Sequence, residues 1–168
     1  MLQRALAYDV MQKVHVDLIG LFLLSKKGFQ YLLTAVCGFT KYLICMPVRD
    51  KLSVLVADVL MRHLFLVYNP PEILVHNQGG ELWSDIMKRL SDLLEIQPSK
   101  ITSHCLNSNG VVECIHATLY LMFAKLVDQN QRDGNELAPY VTYAYNIASH
   151  SSSTYLPFYF SFCGIHAC

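Results

Sequence analysis

The sequence predicts an α/β domain, a mixed sheet with helices packed on its faces. Three observations carry that expectation. Strand-like stretches with short connections fill residues 14–48, the apolar period turns helical after Asp50, and short apolar runs then alternate with amphipathic stretches.

Residues 14–24 (VHVDLIGLFLL) begin with alternation and continue apolar, and SKKG (25–28) reads as a hairpin turn. FQYLLTAVCGF (29–39) and TKYLICMPV (40–48) follow, rich in β-branched and aromatic residues. Three strands so closely connected imply an antiparallel meander. Residues 52–68 are largely apolar, with Asp58 and Arg62 four apart as on a helix, and Asn69-Pro70-Pro71 ends the segment. EILVH (72–76) is a short strand, and Gln78-Gly79-Gly80 a turn. Residues 81–96 set Leu82, Trp83, Ile86, Met87, Leu90, Leu93 and Leu94 on one helical face. Pro98 ends that helix, and SKITS (99–103) is a further strand. Ser-Asn-Gly (108–110) leads into a helix over 111–127, with Val112, Ile115, Leu119, Met122, Phe123 and Leu126 as its apolar stripe. A last helix spans 135–148, before a Ser-rich, aromatic tail. The order is β-β-β-α-β-α-β-α-α.

At 168 residues the chain is expected to be one domain, 1–168. Apolar residues make up 53% and charged ones 15%, which excludes disorder. Thirteen basic residues balance thirteen acidic ones, so bulk charge alone does not make a field-driven nucleic-acid binder. No uncharged apolar run reaches the roughly 18–20 residues of a membrane span, and MLQRALAYDV is no signal peptide. A soluble intracellular chain, with no membrane partner, is the expectation. The six cysteines are then expected to be reduced core thiols. His104, Cys105, Cys114 and His116 form an HC-x8-CxH cluster, but structural zinc ligands usually pair at closer and different spacings.

Acidic residues are scarce, so their placement is informative. Asp17 interrupts an apolar first strand, where a carboxylate needs compensation unless it faces solvent at a sheet edge. Glu113 opens the helix after Asn109-Gly110, where the helix dipole alone would favour it.

The surrounding blocks are more specific. VHVDLIG (14–20), YLLTAVCGFTKY (31–42), PPEILVHNQGGEL (70–82), NSNGVVE (107–113) and AYNIASHSSSTYLPF (144–158) occur in this order. In sequence and spacing they resemble the catalytic core of retroviral and gypsy-type retrotransposon integrases, over about residues 8–165. The resemblance implies a ribonuclease-H-like fold, with a five-stranded mixed sheet whose first three strands are antiparallel. It also implies three acidic residues that bind two magnesium or manganese ions. Those ions activate a water or a DNA 3′-hydroxyl for 3′-end processing and strand transfer, and hard cations select carboxylate oxygens. By resemblance Asp17 and Glu113 are the first and third catalytic acids and the metal ligands.

The second acid should precede Gln78-Gly79, and there the chain has Asn77. Thirty-five residues separate Asn77 from Glu113, the family interval, so the register stands and the residue has changed. One unit charge at ~4 Å is worth about 4 kcal/mol at an effective dielectric of ~20. At ~1.4 kcal/mol per tenfold, rate losses of several decades follow. Metal binding is expected to be weak and catalysis impaired, a degenerate active site in a domesticated or decayed element.

Other departures agree. Cys37 stands for an Asp, Cys114 and His116 for the Arg and Asn that commonly follow the Glu, and Tyr120 for a Lys or Arg. The helix face at 113, 116, 117, 120 and 124 reads Glu, His, Ala, Tyr, Ala, without the cations that hold phosphates. Asn107, His116 and Tyr120 remain as expected nucleic-acid contacts, and Asn146 as a polar residue that could equally be helix surface. The family's partners imply DNA, a homodimer and action in the nucleus. Neither the His-His-Cys-Cys zinc domain nor the C-terminal DNA-binding domain of the family is read in the chain. Three roles are therefore weighed: an impaired core that keeps binding, a non-enzymatic dimerisation or scaffold module, and a still-active metal-dependent polynucleotidyl transferase.

Overall fold

The computed structural model describes residues 9–20, 28–76, 84–100, 106–126, 134–149 and 155–163; for residues 100, 106–112, 126, 134 and 135 only the backbone is described. Strands β1 (Lys13–Ile19), β2 (Tyr31–Cys37), β3 (Leu43–Val48), β4 (Ile73–His76) and β5 (Gln97–Lys100) form one sheet in the order β3-β2-β1-β4-β5. The pairs β1–β2 and β2–β3 are antiparallel, and β1–β4 and β4–β5 are parallel. This is the mixed sheet with an antiparallel meander that the sequence predicts.

Strand alternation sorts the first strand between two layers. Val14 and Val16 join Leu33 and Ala35 in one core, against Val56 and Leu60 of α1 (Ser53–Leu60) and Met87 of α3 (Asp85–Leu93). Helix α1 runs on through a π-helical turn (Met61–Phe65), which adds Leu64 and Phe65 to this core, and ends in α2 (Leu66–Tyr68). Asn69 stops it with φ 67° ahead of the two prolines. Ile19, Leu32, Val36 and Leu43 face the other layer, where Ile115, Leu119 and Phe123 of α4 (Leu106–Leu126) and Val141 and Tyr145 of α5 (Gly134–Asn146) pack on them. Helix α6 (Pro157–Phe162), in the stretch read as a tail, starts on Pro157 and sets Phe158 and Phe162 against Tyr42. Proline suits a first helical position because the missing N–H would have no partner there.

Several boundaries differ from expectation for identifiable reasons. Helix α4 begins at Leu106, so Asn109 and Gly110 lie inside it and not before it. Strand β5 begins at Gln97 and includes Pro98, which an edge strand tolerates because one side of it makes no ladder bonds. Helix α3 begins at Asp85, capped by the Ser84 hydroxyl accepting from the Met87 amide, and it leaves Leu93 78% exposed. Leu82 and Trp83 lie outside the described residues. Of the four described cysteines, all free, only Cys37 is fully in the core; Cys114 and Cys163 are exposed. The expectation of core thiols fails for those two.

The sheet edge at β3 is closed by one side chain. Asn146, 2% exposed, accepts from the Leu43 amide through Oδ1 (2.9 Å) and donates through Nδ2 to the Leu43 carbonyl (2.8 Å). The amide thus copies the donor and acceptor of a neighbouring strand and ties α5 to the edge. Its reading as a helix-surface residue is corrected accordingly. Each buried backbone group left unmatched costs about 1–3 kcal/mol. Asn146→Ala should therefore destabilise the fold by about 3 kcal/mol in urea denaturation; a loss below about 1 kcal/mol would mean that water replaces the amide.

Candidate functional site

Asp17 sits on the central strand of the sheet, not at an edge, and pairs directly with Thr34 of β2. The solvent-edge explanation for its charge is thereby overturned. Its Oδ1 accepts from the Leu18 amide at 2.9 Å, and its Oδ2 lies 3.6 Å from Nδ1 of His116, reaching down from α4. The Thr34 hydroxyl donates to the Asp17 carbonyl at 3.1 Å and stands 3.1 Å from Nε2 of His116.

One hydrogen settles the ring's orientation. A hydroxyl has a single proton, and a carbonyl can only accept, so Thr34 accepts from His116 and Nε2 carries the ring hydrogen. In the neutral imidazole Nδ1 then presents its lone pair toward the Asp17 carboxylate. Burial holds His116 below the usual histidine range, while the carboxylates of Asp17 and Glu113 pull it the other way. Two acids almost a hundred residues apart in sequence act on the same imidazole.

Glu113 is exposed on α4, three residues before His116. Because α4 starts at Leu106, Glu113 lies well inside the helix, and the dipole explanation for it fails. Asn77 lies outside the described residues; β4 ends at His76, whose ladder partner is Val16, the residue before Asp17. Asn107 belongs to the first turn of α4, and its side chain is outside the description. Tyr120 is 49% exposed on α4, whereas the His116 side chain is only 14% exposed and turned to the sheet. His104 and Cys105 are outside the described residues, and Cys114 is exposed while His116 points inward. Two helix residues two apart face opposite ways, so Cys114 and His116 cannot serve one ion.

Cys37 has a structural explanation. Its sulfur accepts from the Met11 amide (3.3 Å) and from the Thr40 amide (3.5 Å), capping the turn where Lys41 takes φ 63°. Beside it Gly38 is tightly placed, since an added Cβ would stand 3.2 Å from the Lys13 carbonyl and push on that backbone. A second histidine on the Asp17 side of β1, His15, is buried with Nδ1 unpartnered, and burial with Lys13 and Lys41 lowers its pKa to about 4. Thr34 is the site residue that sequence reasoning missed. Its signal was present in the antiparallel register, but without the turn geometry that register could not be set.

These residues do not fit a pair of hard dications. Among the described residues no group of three or more His, Cys, Asp or Glu side chains is placed to hold a metal ion, and an imidazole nitrogen faces the Asp17 carboxylate. Also among them, no helix is long and apolar enough to cross a membrane.

The fold is the ribonuclease-H-like architecture of integrase catalytic cores, and the ordered blocks resemble theirs. Over 146 residues, 87% of the chain, it is 29% identical to the Retrovirus-related Pol polyprotein from transposon 412 of Drosophila melanogaster. Over the same length it is 24% identical to the Gypsy retrotransposon integrase-like protein 1 of Bos taurus and of Homo sapiens. The chain spans 12% of the first relative and 28–29% of the others. Two solved structures share the fold. One is the HTLV-2 integrase catalytic core domain in complex with magnesium (TM-score 0.69, 13% identity, 88% of this chain and 93% of that one). The other is the BIV integrase catalytic core (TM-score 0.70, 16% identity, 93% and 97%). No protein-family model matches the chain.

The geometry makes a pH-dependent prediction for Asp17→Asn. At pH 8 the neutral ring and the carboxylate face each other as two acceptors; an amide would place a donor against Nδ1, worth about 0.5–1.5 kcal/mol. The variant should therefore equal or exceed the parent in stability at pH 8. A histidine with a lowered native pKa takes up a proton on unfolding, so stability falls as pH drops below the usual 6.5. Removing the Asp17 charge lowers that pKa further, so the variant should lose more between pH 6.5 and 5. Urea midpoints at the two ends of that range check the crossing; a variant weaker at pH 8 would contradict the assigned tautomer.

Proposed function

We propose that this domain is a retrotransposon-derived integrase core whose DNA strand-transfer chemistry is impaired and which retains nucleic-acid binding, in the nucleus, as its residual role. The observation that carries this reading is the composition of one pocket: Asp17 and Glu113 act on a shared imidazole, and Asn77 stands in the sequence position of the second acid. Two carboxylates present two charges where the family's chemistry calls for two dications, so magnesium and manganese should bind weakly. The zero net charge and the uncharged Tyr120 on α4 support weak rather than strong DNA binding.

The direct test is a strand-transfer and nicking assay with manganese, run on the parent beside Asn77→Asp. The parent should be at least about 100-fold slower than the variant, since a unit charge at ~4 Å is worth about 4 kcal/mol at an effective dielectric of ~20. Equal rates would establish a working polynucleotidyl transferase that tolerates the amide.

A second reading, a dimerisation or scaffold module, has its own support. Tyr140 and Tyr143 of α5 are 70% and 61% exposed, and Ile147 just beyond continues their stripe at helical spacing. Sedimentation over a range of concentrations should show a dimer that Tyr143→Asp weakens. A monomer at every concentration would remove this reading.

A further inference from the structure

We propose that the cleft along the free edge of β3 binds a small, uncharged aromatic carboxamide, held by the backbone N–H and C=O of Cys45. The inference goes beyond the Asp17 pocket and rests on no DNA-directed role.

The argument begins with the direction of backbone groups. β3 is an edge strand, and antiparallel pairing turns alternate residues toward the neighbouring strand and away from it. The Tyr42 carbonyl accepts from the Cys37 amide and the Val48 carbonyl from the Gln30 amide, so the even-numbered residues face β2. Leu43, Cys45 and Pro47 therefore turn their backbone groups to the open edge. Asn146 bears this parity out by taking both groups of Leu43. Among the described residues only Asn146 hydrogen-bonds this row with a side chain. Cys45 presents the same donor and acceptor two residues on, about 6.8 Å along the strand.

Those groups border a cleft of about 270 Å³ that follows the edge past Leu43, Ile44 and Cys45. Pockets for drug-sized ligands run from about 300 to 1,000 Å³, so a smaller molecule is called for. Its walls include the rings of Tyr42, Tyr68, Tyr143 and Phe158, and the Tyr42 centroid lies 6.2 Å from that of Tyr68 and 6.4 Å from that of Phe158. Flat apolar walls select a flat apolar body. Among the described residues no Asp, Glu, Lys, Arg or His lines the cleft. Burial pushes the Cys45 thiol up to about 12, against a hydrogen bond with Thr142, and burial also holds the Tyr42 phenol above its usual range. The lining stays neutral, and a charged ligand would lose its hydration there without a counter-ion.

The edge itself excludes a longer occupant. A peptide strand adding to β3 would use the groups at 43, 45 and 47 in turn. Those at 43 are taken by Asn146, and Pro47 has no N–H to give. One amide fits, at Cys45. A primary carboxamide carries a donor and an acceptor side by side, the arrangement that Asn146 already uses at Leu43.

The test uses the full chain, isotope-labelled for nuclear magnetic resonance, and three probes of one shape: naphthalene carboxamide, its N,N-dimethyl analogue and the matching carboxylate. The carboxamide should bind with a saturable shift of the Cys45 amide resonance. The dimethyl analogue has no N–H, and the carboxylate has no donor and carries a charge. Each should bind at least about 5-fold more weakly, the fold-change of one buried group left unpaired. Cys45→Pro removes the backbone donor and should weaken the carboxamide by a similar factor; Pro47, at the same parity, shows that the pairing with β2 tolerates proline there. Phe158→Ala removes one wall and should weaken binding about 10-fold, and it decides the matter if circular dichroism shows the proline variant unfolded. Equal affinity for the three probes, unchanged affinity in folded Cys45→Pro or Phe158→Ala, or no saturable shift at Cys45 would each overturn the proposal. So would an affinity that falls as protein concentration rises, because a second copy of the chain would then be the occupant. None of these readouts involves DNA, so their failure leaves the strand-transfer reading where its own assay puts it.

Discussion

A threonine hydroxyl has one hydrogen to give, and in this fold Thr34 gives it to the carbonyl of Asp17, its partner across the central strand pair. The rest of the pocket follows from that commitment. The His116 ring must donate to Thr34, which sets its tautomer, and its other nitrogen is turned to the carboxylate. The carboxylate in turn is fixed by the amide of Leu18. A hydrogen-bond chain of backbone and side chains thus aims an imidazole and an acid at each other inside a sheet–helix interface, where interactions are stronger than in water.

The scaffold that holds His116 there is built at the other end of the same layer. α4 packs on the sheet through Ile115, Leu119 and Phe123, and the same core takes in Val141 and Tyr145 of α5. α5 is attached to the sheet edge by Asn146, whose amide substitutes for a sixth strand at Leu43. Edge strands are otherwise open to further pairing, and Pro47 withholds an N–H from the ladder further along β3. The edge cap and the pocket therefore belong to one packed layer, in which α5 lies against both β3 and α4.

Much of the architecture was legible because it rests on local patterns. Alternation in VHVDLI and YLLTAVC, the helical period after Asp50, and the two prolines after Asn69 each express themselves within a few residues. What escaped reading depends on partners distant in sequence. The central placement of Asp17 is set by pairing to β4, residues 73–76, and the role of Thr34 by a hairpin register that the turn decides. Gly110 reads locally as a breaker, yet α4 runs through it. A glycine inside a helix loses only about 1 kcal/mol against alanine, which tertiary packing along the rest of a 21-residue helix overrides.

The departures from the integrase pattern then fall into two physical kinds. Cys37 replaces an acid in a turn, and its sulfur still accepts the two amides that a carboxylate there could serve. That change preserves the fold and says nothing about chemistry. His116 sets an imidazole nitrogen against the Asp17 carboxylate, where a hard-cation pocket has the most to lose. A nitrogen donor opposite a carboxylate suits borderline ions better than magnesium. An imidazole beside Asp17, on a layer packed through Ile115, Leu119 and Tyr145, is a difference in donor chemistry of which the packing itself carries no mark.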